Sequence, residues 1–245
     1  MNNNLTEIVC ILDKSGSMYS LSRDTVGGYN SFIEEQKKID GEAFVTTVLF
    51  NEHYQLLHDH VDIHSMLPMS EDDYLACGMT ALYDAIGITI DNVGKRLAET
   101  PEDQRPSKVI VVITTDGYEN SSKEYSKARI KQMIEHQQNK YSWEFIFLGA
   151  GIDAKSEADS IGINGLSASV RATTDGINCM FATMACHTKA IRTGDFSSVN
   201  SALSSCAENN TVKAAHDITP ATDLLNDSIT NAVVTNSFRT AVDLN

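Results

Sequence analysis

Ile8-Val9-Cys10-Ile11-Leu12-Asp13-Lys14-Ser15-Gly16-Ser17-Met18 is the stretch on which the reading of this chain turns. Its five leading apolar residues have the length and composition of a strand buried on both faces. One carboxylate and two hydroxyls follow at alternate positions. Side chains two apart in an extended segment point the same way, so Asp13, Ser15 and Ser17 converge on one point. Gly16 gives the backbone room to turn between the serines. Three small oxygen ligands at a strand end suit a hard divalent cation such as Mg2+, which prefers oxygen and keeps positions open for a further ligand. Taken alone, Asp13 and Ser15 also suit an Asx or Ser turn with a helix cap.

Two further segments supply what such a site lacks. Gly78-Met79-Thr80-Ala81-Leu82-Tyr83-Asp84 opens a helix expected over about 80–98, with Thr80 at its start, where it also suits a cap. Lys108-Val109-Ile110-Val111-Val112-Ile113-Thr114-Thr115-Asp116-Gly117 reads as a second buried strand ending in a carboxylate and a glycine turn. In this order the three segments resemble the von Willebrand factor A domain, whose metal-ion-dependent adhesion site is built from Asp-x-Ser-x-Ser, a distant Thr and a distant Asp. The resemblance runs over about residues 5–193 and is complete at all five positions, implying a metal set of Asp13, Ser15, Ser17, Thr80 and Asp116. It implies a three-layer α/β fold, Rossmann-like, with a mostly parallel central sheet, one antiparallel edge strand and helices on both faces. It also implies a function: Mg2+, with Mn2+ or Ca2+ as substitutes, takes a carboxylate from a protein partner that presents an acidic residue. Similar small bacterial domains look like adaptors in multi-protein complexes, so a bacterial or phage intracellular type is expected.

The chemistry of the set stands apart from the resemblance. Two carboxylates against a divalent cation leave the shell about neutral, and the hydroxyls add oxygen ligands without charge, so the cation's field is free for an outside carboxylate. An enzyme is the less favoured reading. Ser15 stands where Asp-x-Asp phosphotransferases carry their general acid, and neither a phosphate-binding Gly-x-x-x-x-Gly-Lys-Ser/Thr loop nor a Gly-x-Ser-x-Gly elbow occurs. A metal-assisted hydrolase would still need a general base that the sequence does not supply near the serines.

The chain has 245 residues, with 33 acidic against 19 basic side chains and a formal charge of −14. That balance argues against nucleic acid and anionic membrane as partners, both of which need a basic surface. No apolar run is long enough to span a bilayer, and the start, Met1 to Glu7, lacks the basic region of a signal peptide. Cys10, Cys77, Cys179, Cys186 and Cys206 form no close-paired framework and read as reduced thiols. A cytoplasmic protein is expected, or a virion-associated one if phage-encoded.

Apolar runs and helical segments alternate as in a sheet covered on both faces. Strands are expected at 5–12, 43–50, about 54–61, 108–114 and 143–148. Asn51-Glu52-His53 is short enough for a hairpin that places one antiparallel strand at an edge. Helices are expected at about 21–38, 80–98, 123–139, 153–160 and 174–191. His53, His58, His60 and His64 lack zinc spacing, and the strand bearing His58 and His60 on one face reads as solvated. Glu119 and Asn120, just past Asp116-Gly117, are placed to line the ligand face but read more as solvated loop residues, and Asp84 as a residue favoured by the helix dipole. Residues 1–193 thus form one domain. Residues 194–245 differ: 27 of these 52 residues are Ser, Thr, Asn or Ala, with no Trp or Tyr. Short apolar clusters, Leu224-Leu225 and Ala232-Val233-Val234, interrupt them. Two readings stand side by side: a polar extension that orders against a partner or another copy, or a small helical appendage. The first keeps a structural component of a larger particle or appendage, self-associating through 194–245, as the alternative function.

Overall fold

A computed structural model describes residues 1–197, Val199 and the backbone of 212–216. Seven strands form one sheet in the order β3-β2-β1-β4-β5-β6-β7. They are β1 (Asn2–Asp13), β2 (Glu42–Phe50), β3 (Tyr54–Asp62), β4 (Pro106–Thr115), β5 (Glu144–Ala150), β6 (Ser167–Val170) and β7 (Val212–His216). β1, β2, β4, β5 and β6 are mutually parallel; β3 returns antiparallel to β2 through the Asn51-Glu52-His53 turn. β7 pairs antiparallel with β6, so the opposite edge also carries an antiparallel strand, drawn from the stretch beyond residue 193. β6 was not anticipated: four residues, Ser-Ala-Ser-Val, carry too little apolar pattern to read as a strand.

The helices are α1 (Ser22–Lys37), α2 (Leu82–Glu99), α3 (Lys127–Tyr141), α4 (Ala154–Ser160) and α5 (Thr174–Thr193). Because strand side chains alternate, β1 feeds two cores. Ile8, Cys10 and Leu12 pack with Tyr29, Phe32 and Ile33 of α1 and Met180, Phe181 and Met184 of α5. Val9 and Ile11 pack on the other face with Ile86 and Ile90 of α2 and Ile130 and Ile134 of α3. α5 ends where Gly194 takes the left-handed conformation, φ 77°.

Chain order runs outward in both directions from the pair β1 and β4, to β2 and β3 on one side and to β5 and β6 on the other. The crevice outside the carboxyl ends of that central pair is where open α/β sheets take their ligands. Leu12 pairs with Thr114 there, so the segments beginning at Asp13 and Asp116 leave adjacent strands side by side.

Two local readings need correction. His58 and His60 do not share a face: His60 has φ 51° and the β2–β3 register shifts nearby, so His58 reaches the Tyr29 hydroxyl (3.5 Å) while His60 reaches Glu7 (2.8 Å). A bulge adds a residue and breaks the period of two. Cys179 is disulfide-bonded, against the expectation of five reduced thiols, since spacing along the chain says little about distant pairing. The apolar clusters Leu224-Leu225 and Ala232-Val233-Val234, and the assembly role expected of 194–245, lie outside the described residues apart from β7.

Candidate metal centre

Asp13 is the last residue of β1 and is fully buried. Its Oδ1 accepts the Ser15 N–H at 2.7 Å and its Oδ2 accepts the Thr115 hydroxyl at 2.6 Å. Its carbonyl accepts the hydroxyl of Tyr74, itself buried under the site. Ser15 stays extended (φ −64°, ψ 169°) before a 3-10 turn over Gly16–Leu21, so the alternation of the strand persists through the motif. The Ser15 and Ser17 Oγ atoms are 3.3 Å apart, and the Ser17 hydroxyl donates to Asp116 Oδ1 at 2.6 Å. Lys14 turns away, its Nζ donating to Gln55.

Thr80 comes from the loop before α2. A Cβ placed on Gly117 would lie 3.3 Å from Thr80 Oγ1 and 3.9 Å from Ser17 Oγ, so both hydroxyls border the turn after Asp116. The five residues read from sequence thus come together at the end of the central strand pair. Thr80 is not a helix cap. α2 begins at Leu82, and its first amides are met from outside: Tyr83 N–H by Glu119 Oε2 (3.0 Å) and Asp84 N–H by Ser122 Oγ (3.0 Å).

Glu119 and Asn120 are therefore not idle loop residues. Asn120 Oδ1 accepts the Thr80 N–H at 2.9 Å, and the Asn120 N–H donates to the Thr80 carbonyl at 3.0 Å. Asp84 returns the contact, its carboxylate accepting the N–H groups of Lys123, Glu124 and Tyr125 at 2.7–2.9 Å. The loops bearing Thr80 and Asp116 are thereby tied into one unit. The Asp13 loop joins it through Gly16 N–H to Gly78 O (3.0 Å) and Cys77 N–H to Lys14 O (2.9 Å). Gly16 serves this close approach, since a Cβ there would stand 3.2 Å from the Gly78 carbonyl. Gly78 is required for another reason: its φ is +79°, and a Cβ would strike the Glu52 carboxylate.

No family model matches this chain, and no curated protein does. Solved structures do. The von Willebrand factor type A protein from Catenulispora acidiphila superposes with a TM-score of 0.50 at 16% identity, over 74% of this chain and 42% of that one. The proximal thread matrix protein 1 of the mussel byssus gives 0.51 at 15% identity, over 76% and 46%. The fold is that of a von Willebrand factor A domain. The chain spans less than half the length of these A-domain structures.

Within this A-domain fold, the electrostatics test whether a cation fits. Burial pushes the Asp13 carboxyl up to about 6, against the lowering effect of its hydrogen bonds from Thr115 and Ser15. Burial also raises Asp116. Among the described residues neither has a Lys, Arg or His ion-pair partner. Nor do three or more His, Cys, Asp or Glu side chains gather anywhere as a metal cluster among those residues. The centre is instead two carboxylates and three hydroxyls, all hard oxygen ligands, with Asp13, Ser15 and Thr80 buried and Ser17 open to solvent. That set fits Mg2+ better than a soft metal.

Reading the sequence missed Thr115 and Tyr74, and it placed Asn120 near the ligand face without its role of holding Thr80. Thr115 lay within the quoted strand, adjacent to Asp116, and its position beside Asp13 follows once the two strands are paired. Tyr74 and Asn120 act through contacts across the fold and carry no local pattern.

Proposed function

We propose that this domain is a Mg2+-dependent protein-binding module, an adaptor or scaffold. In this reading a partner's Asp or Glu docks on a cation held by Asp13, Ser15, Ser17, Thr80 and Asp116. The observation that carries it is Asp13: a fully buried carboxylate at a ligand-binding crevice, hydrogen-bonded but without a cationic side chain to offset its charge. When bound, a divalent cation supplies positive charge with an open coordination position. Asp13 and Asp116 neutralise it, the Ser15, Ser17 and Thr80 hydroxyls complete and orient the set, and the exposed Ser17 side leaves an approach for an outside oxygen. We read the module as non-catalytic, because the Ser15 and Ser17 hydroxyls meet each other and Asp116 rather than a histidine base.

Calorimetric titration with MgCl2 and MnCl2 tests the reading, followed by titration of the loaded protein with a short peptide bearing one Asp and its Asn counterpart. Expected are saturable metal binding, lost in Asp13→Ala, and peptide binding that needs both the metal and the Asp. Metal affinity unchanged in Asp13→Ala, or equal binding of the two peptides, overturns it.

A structural role in an assembly is the second reading. It is supported by the fold likeness to the byssus matrix protein. Light scattering that shows metal-independent self-association would favour it.

A further inference from the structure

Among the described residues eight large apolar side chains are exposed, and four of them lie on the loops that carry the candidate centre: Tyr19, Leu75, Met79 and Tyr118, at 78%, 64%, 52% and 54%. Their placement follows from chain geometry. Consecutive Cα atoms are about 3.8 Å apart, so Met79 adjoins Thr80, while Tyr19 and Tyr118 lie within about 7.6 Å of Ser17 and Asp116. Leu75 follows Tyr74, whose hydroxyl holds the Asp13 carbonyl, and stands two residues before Cys77, whose N–H donates to the Lys14 carbonyl. These residues come from three different loops: the one after β1, the one before α2 and the one after β4. Each of these loops carries an oxygen ligand of the centre: Ser17, Thr80 and Asp116.

Single exposed apolar residues are ordinary on a protein surface; half of the exposed ones falling on the loops that bear one polar centre points to a binding surface. Tyr and Met are enriched at such surfaces: Tyr brings a large contact area at low conformational cost, and Met an adaptable apolar one. Charge narrows the partner further. The chain carries a formal charge of −14; exposed Glu52 accepts the N–H of Met79, next to Thr80, at 2.7 Å, and Asp72 is exposed earlier on the same loop, where Glu71 pairs with Arg23. A run of acids approaching this face meets repulsion at every residue but the one that reaches the cation. We infer that the partner presents a single Asp or Glu set among apolar side chains, its carboxylate on the cation and its neighbours on the rim of Tyr19, Leu75, Met79 and Tyr118. This rests on the Mg2+-dependent reading of the centre.

Three labelled synthetic peptides test it against the Mg2+-loaded full chain by fluorescence polarisation. Each holds one central Asp, flanked by Leu and Phe, by Ser and Gly, or by Glu. The apolar-flanked peptide is expected to bind about tenfold or more tighter than either other, the scale of burying one or two apolar side chains. In the variant Tyr19→Ser/Met79→Ser that preference disappears while calorimetric Mg2+ affinity and the thermal melt stay at wild-type values. Equal affinity for the Ser-flanked peptide, or preference for the Glu-flanked one, overturns the inference while leaving the metal reading standing. Absence of Mg2+ binding in the wild type removes the metal reading itself. Mg2+-dependent self-association abolished by the same variant would make a second copy the occupant and overturn the inference too.

Discussion

Glu7 and Asp13 lie six residues apart on one face of β1, both fully buried, and the chain treats the two carboxylates in opposite ways. Glu7, near the start of the strand, is surrounded by cationic and polar side chains. Arg96 of α2 donates to its Oε1 at 2.6 Å, Thr46 donates to the same atom at 3.0 Å, and His60 meets Oε2 at 2.8 Å. Asp59 holds the other arm of the Arg96 guanidinium at 2.9 Å. Asp13, at the far end, has an amide and a hydroxyl but no cationic side chain. One end of the strand is a closed structural ion pair that fastens α2 and the edge strand β3 to the centre of the sheet. The other end keeps a negative charge whose natural counterpart is a cation from outside. The difference separates a carboxylate that serves the fold from one that serves a ligand, although both are equally buried.

The comparison breaks first at Glu7. Glu7→Gln leaves Arg96 partly buried beside a neutral amide, and the fold is expected to lose about 3 kcal/mol, the low end for breaking a buried pair because Arg96 keeps Asp59. Chemical denaturation of the variant checks this. A loss below about 1 kcal/mol would show that the cluster is dispensable. Metal affinity should not change.

Asn120→Ala comes next. It removes the acceptor that holds the Thr80 N–H and is expected to cost about 1 kcal/mol of stability while weakening Mn2+ binding severalfold. Asn120→Asp keeps the acceptor and should restore the affinity. If both variants bind Mn2+ alike and weakly, side-chain acceptance of the Thr80 amide is not what positions this residue. Thr80→Ala should cost the fold less than about 1 kcal/mol, since no cap is lost, yet weaken capture of an Asp-bearing peptide. A thermal shift beyond that scale with peptide affinity intact would return Thr80 to a purely structural role.

Much of this layout was legible because its causes are local. Apolar runs long enough to be buried on both faces gave β1, β2, β4 and β5, and the three-residue turn at Asn51-Glu52-His53 gave the antiparallel edge. The alternate spacing of Asp13, Ser15 and Ser17 gave three of the five residues of the centre, and the order of the two later motifs gave Thr80 and Asp116. What stayed hidden depends on contacts between distant segments. The bulge at His60, which turns a presumed solvated histidine onto Glu7, is set by the β2–β3 register. Arg96 and Glu7 meet across 89 residues of chain. Asn120 and Glu119 look like ordinary loop residues until the amides of Thr80 and Tyr83 are placed against them. β7 lies in a stretch whose composition suggested no strand at all.

If Asp13 carries the charge that an external cation answers, the thermal stability of three proteins with and without Mg2+ reports it. In chelator, Asp13→Asn should melt no lower than the wild type. Its amide can still accept from Ser15 and donate to Thr115, whose hydroxyl can turn to the Gly117 carbonyl 3.0 Å away, and an uncompensated buried charge is gone. Added Mg2+ should raise the melting temperature of the wild type and of Glu7→Gln, each from its own baseline, and leave Asp13→Asn unmoved. A Mg2+-induced rise in Asp13→Asn equal to that of the wild type would contradict the account.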